Sequence, residues 1–195
     1  MKRTAVLIYP GFCNFEISPA LELLALANKP ITVFSTKREG VKSEEGLIVI
    51  PEKSLDELEI WDYDSLILPG AVNIQETIQD EAVLTFLRRF DRKDMVIGAI
   101  SIAPVLLLKA GMLQNKPFMA GINREELLEE GFLAEELAQM KDWKSNLLSP
   151  VPEGFLVSEN IITSVSYEFV RWALAFGRML GIQCSPKTFG IRDEK

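Results

Sequence analysis

The sequence predicts an α/β protein built on a mostly parallel sheet with helices on both of its faces. Short apolar runs of strand length alternate along the chain with longer segments whose apolar residues recur at helical spacing. Strands that alternate with helices favour a parallel sheet whose helical crossovers cover both faces. With 195 residues, 48% of them hydrophobic, the chain can bury one full core. We expect one domain over residues 1–182 and a polar tail over residues 183–195.

The first half of the chain contains the clearest elements. The predicted strands are apolar runs ended by glycine, proline or a polar residue, and they span residues 4–9, 31–35, 65–68 and 95–100. Apolar residues three or four positions apart predict helices over residues 15–27, 75–90 and 102–110. Between residues 37 and 51, two strand-like pieces flank Ser43-Glu44-Glu45-Gly46 and predict a hairpin, and residues 55–61 are expected to form a short helix.

The second half of the chain is less regular. Residues 117–120 are expected to form a strand, and residues 125–130 and 134–140 are expected to form short polar helices or an irregular cap. Late strands are predicted at residues 147–151, 155–157 and 161–163. A final amphipathic helix is predicted over residues 168–180.

Three strand ends are the places where the sequence predicts a site. In open parallel sheets, ligands bind beyond the carboxyl ends of the strands, at the point where the strand order reverses. The corresponding segments here are residues 10–16, 69–72 and 100–104.

The third of these segments has the pattern of a nucleophile elbow. The run that ends at Ile100 is followed by Ser101 and then by a helix, with the small residues Ala99 and Ala103 two positions either side of the serine. A strand turns sharply into a helix only where nothing bulky crowds the bend, so such elbows place small residues around the nucleophile. This bend is expected to lift the Ser101 hydroxyl out of the sheet, beside the free N–H groups of the helix.

The composition excludes several classes of chemistry. The chain has no histidine, and histidine is the usual general base at neutral pH and the commonest metal ligand. A Ser-His-Asp triad, a Cys-His dyad and a His-ligated zinc site are therefore excluded, and we expect neither a metal nor another cofactor. The net charge is −7 without a basic block, which argues against nucleic acid and anionic membranes as partners.

The N-terminus and the cysteines predict a reduced, cytoplasmic protein. Pro10 and Gly11 stop the first apolar run before it reaches the length of a signal peptide. No stretch approaches the roughly 18 apolar residues that a transmembrane helix needs. Cys13 and Cys184 lie near opposite ends of the chain and lack the spacing of a metal site.

Two early motifs follow the first and third predicted strands. They are Tyr9-Pro10-Gly11-Phe12, which leads to Glu16, and Leu66-Ile67-Leu68-Pro69-Gly70-Ala71. Both resemble motifs of the ThiJ/PfpI family, which is part of the class I glutamine-amidotransferase-like superfamily. The first is similar to the family's glycine-containing loop that delivers an acidic residue to the site, and the second is similar to its Leu-Pro-Gly-Gly strand end, with alanine in place of the second glycine.

Two later motifs extend the resemblance over nearly the whole chain, from Val6 to Leu180. Gly98-Ala99-Ile100-Ser101-Ile102-Ala103-Pro104 is similar to the family's elbow. Val157-Ser158-Glu159-Asn160-Ile161-Ile162-Thr163-Ser164 is similar to its late hairpin. The order and spacing of the four motifs identify the chain as a divergent member of the family.

The resemblance implies a flavodoxin-like three-layer sandwich, often assembled as a homodimer, with a reactive elbow cysteine, an acid that hydrogen-bonds it and frequently a nearby histidine. Members are described as peptidases or amidases, glyoxalase-type enzymes, isonitrile hydratases, chaperones or regulatory domains. Here the elbow residue is Ser101, and no histidine exists to complete a dyad. A serine hydroxyl needs a positioned base, unlike a thiol that is partly ionised at neutral pH. Glu16 is the candidate, since burial raises the pKa of a carboxyl and makes it a stronger base.

The first hypothesis is a peptidase- or amidase-type hydrolase, or a glyoxalase-like lyase, that acts on a small carbonyl, amide or nitrile-like substrate. Ser101 would attack the substrate or position water, and Glu16 would move the proton. The N–H groups of Gly70, Ala71 and Ile102 would hold the oxyanion. Specificity would come from Asn73, Ile74 and residues 117–146.

The second hypothesis is a small-molecule-binding or stress-related protein that has lost catalysis. Ser101 is then only a helix N-cap, with Pro104 in the first turn. Glu16 then complements the dipole of its helix, and Gly70 belongs to an ordinary turn. A third hypothesis is a thiol-dependent function at Cys13, which lies three residues before Glu16. The alternative interpretation is that Cys13 is a small buried hydrophobic residue. The sequence leaves open whether the protein is an enzyme.

Overall fold

A seven-stranded sheet forms the centre of the protein, in a computed structural model that describes residues 1–143 and 154–191. The strands of this sheet are β1 (Arg3–Leu7), β2 (Ile31–Ser35), β5 (Lys53–Ser54), β6 (Tyr63–Leu68), β7 (Val96–Ile100), β8 (Phe155–Ser158) and β9 (Ile161–Ser164). Their spatial order is β5-β2-β1-β6-β7-β9-β8. Each neighbouring pair is parallel except β8 and β9, which form an antiparallel hairpin. The predicted mostly parallel sheet is confirmed.

Helices cover the sheet in two layers. They are α1 (Asn14–Leu26), α2 (Glu81–Arg88), α3 (Pro104–Lys109), α4 (Arg124–Glu129) and α5 (Phe169–Met179). In one layer α1 packs beside α5, and in the other α2 packs beside α3. The central strands β1, β6 and β7 are buried along almost their whole length, as expected for parallel strands with helices on both faces. The architecture is the flavodoxin-like α/β sandwich that the resemblance implied.

The hairpin predicted between residues 37 and 51 is present as a separate two-stranded sheet. Its strands β3 (Val41–Lys42) and β4 (Ile48–Val49) are antiparallel. The Glu45 carboxylate, at the tip of the hairpin, accepts the Phe15 N–H at 2.8 Å and the Asn14 N–H at 3.3 Å. The hairpin thus caps the first turn of α1, whose N-cap residue Cys13 makes no side-chain cap bond of its own.

Two predicted helices are interrupted. Residues 75–90 form a 3₁₀ turn at Thr77–Gln79 and then α2, because the Asp80 carboxylate accepts the Ala82 N–H at 2.9 Å and starts a new helix. Residues 55–61 form two 3₁₀ turns, Leu55–Glu57 and Ile60–Asp62, instead of one helix. In the first turn, the Glu57 carboxylate accepts the N–H of Ser54 at 2.8 Å and so fixes a short capping box.

The second half differs from its prediction at residues 117–120. The strand expected at residues 117–120 is only an isolated bridge between Phe118 and Met140. Residues 125–130 and 134–140, expected to form short polar helices or an irregular cap, form α4 and a run of turns respectively. The strand predicted at residues 147–151 lies outside the described residues. None of the helices in the described ranges is long and apolar enough to cross a membrane.

Gly98 lets α5 lie directly against β7, the strand that leads to the elbow. A Cβ at this position would come within 2.8 Å of atoms in both Trp172 and Phe176. These two buried rings are stacked, with centroids 5.9 Å apart. A side chain on Gly98 would therefore push the helix away from the sheet.

We expect Gly98→Ala to lower the free energy of unfolding by about 1–3 kcal/mol, the usual effect of overpacking a core. Urea denaturation measures this change. Gly40→Ala is the matched control: its Cβ would meet only the Ile48 side chain, which is 72% exposed and free to move. We expect the control to stay within about 0.5 kcal/mol of the unmodified protein. Equal losses in the two variants would contradict the packing argument.

Candidate functional site

Four adjacent parallel strands bring their carboxyl ends together at one edge of the sheet. In spatial order they are β1, β6, β7 and β9. The segments that follow them supply Glu16, Gly70, Ser101 and Ser166 respectively. The first three residues come from the three strand ends that the sequence singled out, and the structure brings them into contact.

Glu16 lies at the centre of this group. It is in the first turn of α1 and is only 1% exposed. Its Oε2 accepts the Gly70 N–H at 2.7 Å, and the hydroxyls of Ser101 and Ser166 also donate to the carboxylate. A buried carboxylate needs such donors because it has lost its hydration. The α1 dipole adds to this stabilisation, but the hydrogen bonds show that Glu16 does more than complement it.

Burial raises the pKa of Glu16 above its usual range. The hydrogen bonds from Ser166, Gly70 and Ser101 act in the opposite direction, because they stabilise the ionised carboxylate, but burial outweighs them. A carboxyl whose pKa is moved toward neutrality is a better general base and a better general acid at physiological pH. Glu16 is thus more basic than its residue type alone predicts.

Gly70 is a glycine because there is no space for a side chain between Glu16 and Ser101. A Cβ would lie 2.5 Å from Glu16 Oε2 and 2.8 Å from Ser101 Oγ. The two oxygens therefore lie against the same point on the Gly70 backbone. This close approach also fixes the role of the Gly70 N–H, which is donated to Glu16. The structure corrects the expectation that this N–H would hold an oxyanion.

Ser101 adopts the left-handed conformation of a nucleophile elbow, with φ of 61°. For a residue with a side chain, this conformation costs about 1–2 kcal/mol. Backbone hydrogen bonds hold it on both sides: the Ser101 N–H donates to the Ser164 carbonyl at 2.8 Å, and the Gly121 N–H donates to the Ser101 carbonyl at 2.6 Å. A Cβ on Gly121 would lie 2.9 Å from Ser101 Cα. The elbow is thus enclosed by two glycines, Gly70 and Gly121.

The interpretation of Ser101 as a helix N-cap is wrong. α3 begins at Pro104, and its N-cap residue is Ala103, without a side-chain cap bond. The Ser101 hydroxyl points instead to Glu16. The helix predicted from residue 102 therefore starts two residues later, because residues 101–103 form the tight turn of the elbow.

Two N–H groups beside Ser101 remain candidates for binding an oxyanion. The Ala71 and Ile102 N–H groups donate to no backbone carbonyl among residues 1–143 and 154–191. Both residues line the same cleft as Ser101. Preorganised backbone donors of this kind stabilise charge that develops on a carbonyl oxygen during attack.

This cleft has a volume of about 580 Å³ and opens directly over the elbow. Its walls include Asn73, which is exposed and whose Oδ1 accepts the Gln75 N–H at 2.9 Å in a local turn. Gly121, Ile122 and Glu130 form another part of the wall. All three belong to the segment from which specificity was expected, at residues 117–146.

Cys13 has the environment of an inert thiol. It is 5% exposed, and its Sγ donates to Glu44 Oε2 at 2.7 Å. Burial, followed by this hydrogen bond, raises the pKa of the Cys13 thiol far above its usual range. A thiol must ionise to act as a nucleophile. The geometry therefore favours the interpretation of Cys13 as a small buried residue.

Two residues of the site were not anticipated. Ser166 follows β9, which lies next to β7 in the sheet, but the sequence alone does not give this strand order. Gly121 approaches the elbow from a segment without regular structure, and no local pattern marks it. Within the described ranges, no three His, Cys, Asp or Glu side chains cluster closely enough to hold a metal ion.

Comparisons with known proteins agree on one family. The model of the DJ-1/PfpI family matches residues 2–176 of the chain. A relative from Escherichia coli strain K12, named protein/nucleic acid deglycase 2, is 31% identical over 121 residues, which are 61% of this chain and 70% of the relative.

Solved structures show the same fold. A DJ-1 superfamily protein from Agrobacterium tumefaciens superposes with a TM-score of 0.79 at 19% identity, over 97% of this chain and 95% of that one. The oxidized DJ-1 of Toxoplasma gondii gives a TM-score of 0.71 at 22% identity, over 92% of this chain and 91% of that one. At these identities the likeness establishes the fold alone.

The raised pKa of Glu16 makes the stability of the protein depend on pH. An acid that binds its proton more tightly in the folded state stabilises the fold fully below its unfolded pKa of about 4.3. This contribution is lost as the pH rises through the folded pKa. We expect the free energy of unfolding to fall over this window in the unmodified protein and not in Glu16→Gln, measured by urea denaturation from about pH 4 to about pH 8.

Glu22→Gln is the control, because it removes the same charge from an exposed position on α1. It separates the effect of burial from that of net charge. The free energy of unfolding is plotted against pH for Glu16→Gln and for the unmodified protein. Parallel curves across the window would contradict the assignment of a raised pKa to Glu16.

Proposed function

Because the chain belongs to the DJ-1/PfpI family and holds a strained serine against a buried carboxylate, we propose that it is a serine-dependent hydrolase of small amides, esters or related carbonyl compounds. The observation that carries this proposal is the close approach of the Ser101 hydroxyl and the buried Glu16 carboxylate at the left-handed elbow, where both oxygens lie against the Gly70 backbone. Backbone strain persists only where the surrounding structure enforces it, and it is concentrated at functional sites.

In the proposed first step, Ser101 Oγ forms a bond to the carbonyl carbon of the substrate while its proton passes to Glu16. The electron pair of the C=O bond moves to the oxygen, which the Ala71 and Ile102 N–H groups hold. The tetrahedral intermediate then expels the amine or alcohol, which takes the proton from Glu16 as it leaves. An acyl ester on Ser101 remains.

In the second step, Glu16 removes a proton from water as the water attacks the acyl ester. The second tetrahedral intermediate releases the carboxylic acid, and Ser101 Oγ takes back the proton from Glu16. Among the described residues that contact Ser101, Glu16 is the base available for both steps. Its raised pKa supports this assignment because it brings the proton affinity of Glu16 closer to what both transfers require.

The proposal determines which substrates should be tested. The dimensions of the cleft, about 580 Å³, suit a small molecule or a single peptide side chain. The panel therefore includes small amides, esters and short peptides. The Escherichia coli relative is named a protein/nucleic acid deglycase, which supports adding glycated amines to the panel.

A second candidate function is a small-molecule-binding protein that keeps the cleft without turnover. The absence of histidine from the sequence favours it, because a carboxylate is a weaker base than the imidazole that usually activates serine. In this case Glu16 and Ser101 only shape the floor of the cleft. The homodimer expected from the resemblance stays a prediction under both functions.

Substitution of Ser101 separates the two candidates. We expect Ser101→Ala to lose about 10²–10⁴-fold in kcat on substrates from the panel, because it removes the nucleophile. We expect Ser101→Cys to retain or increase hydrolysis, since a thiol is more readily ionised than a hydroxyl. Rates are measured by release of the amine or alcohol, and urea midpoints show that each variant folds.

Turnover that survives intact in Ser101→Ala would eliminate Ser101 as nucleophile. If neither the unmodified protein nor Ser101→Cys turns over any member of the panel, the binding function replaces the hydrolase. Saturable binding of panel members to a folded Ser101→Ala variant is then the positive evidence for that function.

A further inference from the structure

The cleft above Ser101 is polarised by a single charged side chain. Of the described residues that line it, Glu130 is the one that carries a charge. The others are apolar or neutral, and include Ala71, Val72, Ile74, Ile102 and Ile122. An isolated charge on an otherwise neutral wall is the kind of polar group that selects and orients a ligand.

Glu130 is held in position from both walls of the cleft. It follows α4 directly, and its N–H donates to the Glu126 carbonyl at 3.0 Å, which completes the last turn of the helix. From the opposite wall, Gln75 Nε2 donates to Glu130 Oε2 at 3.0 Å. Glu130 is exposed and one of its carboxylate oxygens accepts from Gln75, so the carboxylate retains capacity to accept further hydrogen bonds.

The same hydrogen bond engages one of the two N–H groups of the Gln75 amide, a neutral donor at this end of the cleft. An anionic substrate at this end would meet a carboxylate with no described cation in the lining. A cationic substrate would instead meet a fixed acceptor of opposite charge.

The surface next to this cleft is also negatively charged. A second cleft of about 310 Å³ shares Val72 and Asn73 with the first, and its charged lining residue is Glu76. The chain as a whole carries a net charge of −7. Clefts lined by charges of one sign concentrate ligands of the opposite sign.

We propose that the substrate of this site carries a positively charged group, an ammonium or a guanidinium, and that Glu130 is the residue that selects it. The inference rests on the proposed function, in that the reacting carbonyl lies at Ser101 and the cation lies toward Glu130. The substrate class inferred here is a small amide or ester that carries a cationic group at the end away from the reacting carbonyl.

The experiment uses three amides that share a three-methylene chain and differ in the charge of their end group. They are γ-aminobutyramide, which is cationic, valeramide, which is neutral, and glutaramate, which is anionic. Binding is measured by calorimetry or by NMR titration to the Ser101→Ala variant, which has no nucleophile, so that affinity is obtained whether or not the protein turns over. Turnover of the same three amides by the protein with Ser101 intact is measured separately.

We expect the cation to bind about threefold to fivefold more tightly than valeramide, the range of an exposed ion pair, and glutaramate to bind most weakly. Glu130→Gln in the Ser101→Ala background removes the preference, and Glu130→Lys reverses it. Glu129→Gln is the matched control, because it removes the same charge from the adjacent exposed residue, which does not line the cleft. The preference persists in this control and weakens as salt is added.

Equal binding of the three amides, no measurable binding of the cation, or a preference that Glu130→Gln leaves unchanged would each overturn the inference. These results are distinguishable from failure of the hydrolase. A cation preference that depends on Glu130 without turnover keeps the inference and rejects the hydrolase, whereas turnover without charge preference does the reverse.

Discussion

The buried carboxylate of Glu16 is the constraint on which the rest of the site depends. Removing a carboxylate from water is unfavourable unless donors replace its hydration. Here the donors come from three other strand ends: the N–H of Gly70 and the hydroxyls of Ser101 and Ser166. The sheet order places those ends side by side, so one carboxylate ties four adjacent strands together at their carboxyl edge. The glycine at position 70 follows from this arrangement, because any side chain there would displace Glu16 or Ser101.

The same contacts explain how a strained serine is retained. The left-handed backbone of Ser101 is held by hydrogen bonds with Ser164 and Gly121, and its hydroxyl is directed to Glu16. The resemblance implies a cysteine at this position, and cysteine ionises without a strong base. Serine does not. The elevated proton affinity of Glu16 therefore matters more here than it would beside a thiol. In the proposed chemistry, this proton affinity takes the place of the missing histidine.

The sequence was sufficient for those parts of the site that rest on local patterns. The small residues around Ser101 and the strand ends before Glu16 and Gly70 can be recognised without coordinates, because nucleophile elbows and buried strands have short-range sequence signatures. The sequence does not reveal that the Gly70 N–H donates to Glu16, or that Ser166 and Gly121 belong to the site. These contacts depend on which strands and loops become neighbours in the fold. One local pattern gave a wrong prediction. Apolar spacing predicted a continuous helix over residues 75–90, but the capping carboxylate of Asp80 starts a new helix within this range. The interpretation of Ser101 as a helix N-cap is wrong because a tight turn follows this residue and α3 begins only at Pro104.

The central claim is that the Ser101 hydroxyl donates to a buried Glu16 carboxylate. A carbon NMR titration of the Glu16 carboxyl in the unmodified protein and in Ser101→Ala tests it most directly. The account predicts a pKa above the usual glutamate range in the unmodified protein, because burial dominates, and a further rise in Ser101→Ala, because that variant loses a donor to the ionised form. An ordinary pKa in the unmodified protein, or a pKa that does not respond to the loss of the hydroxyl, would contradict the account.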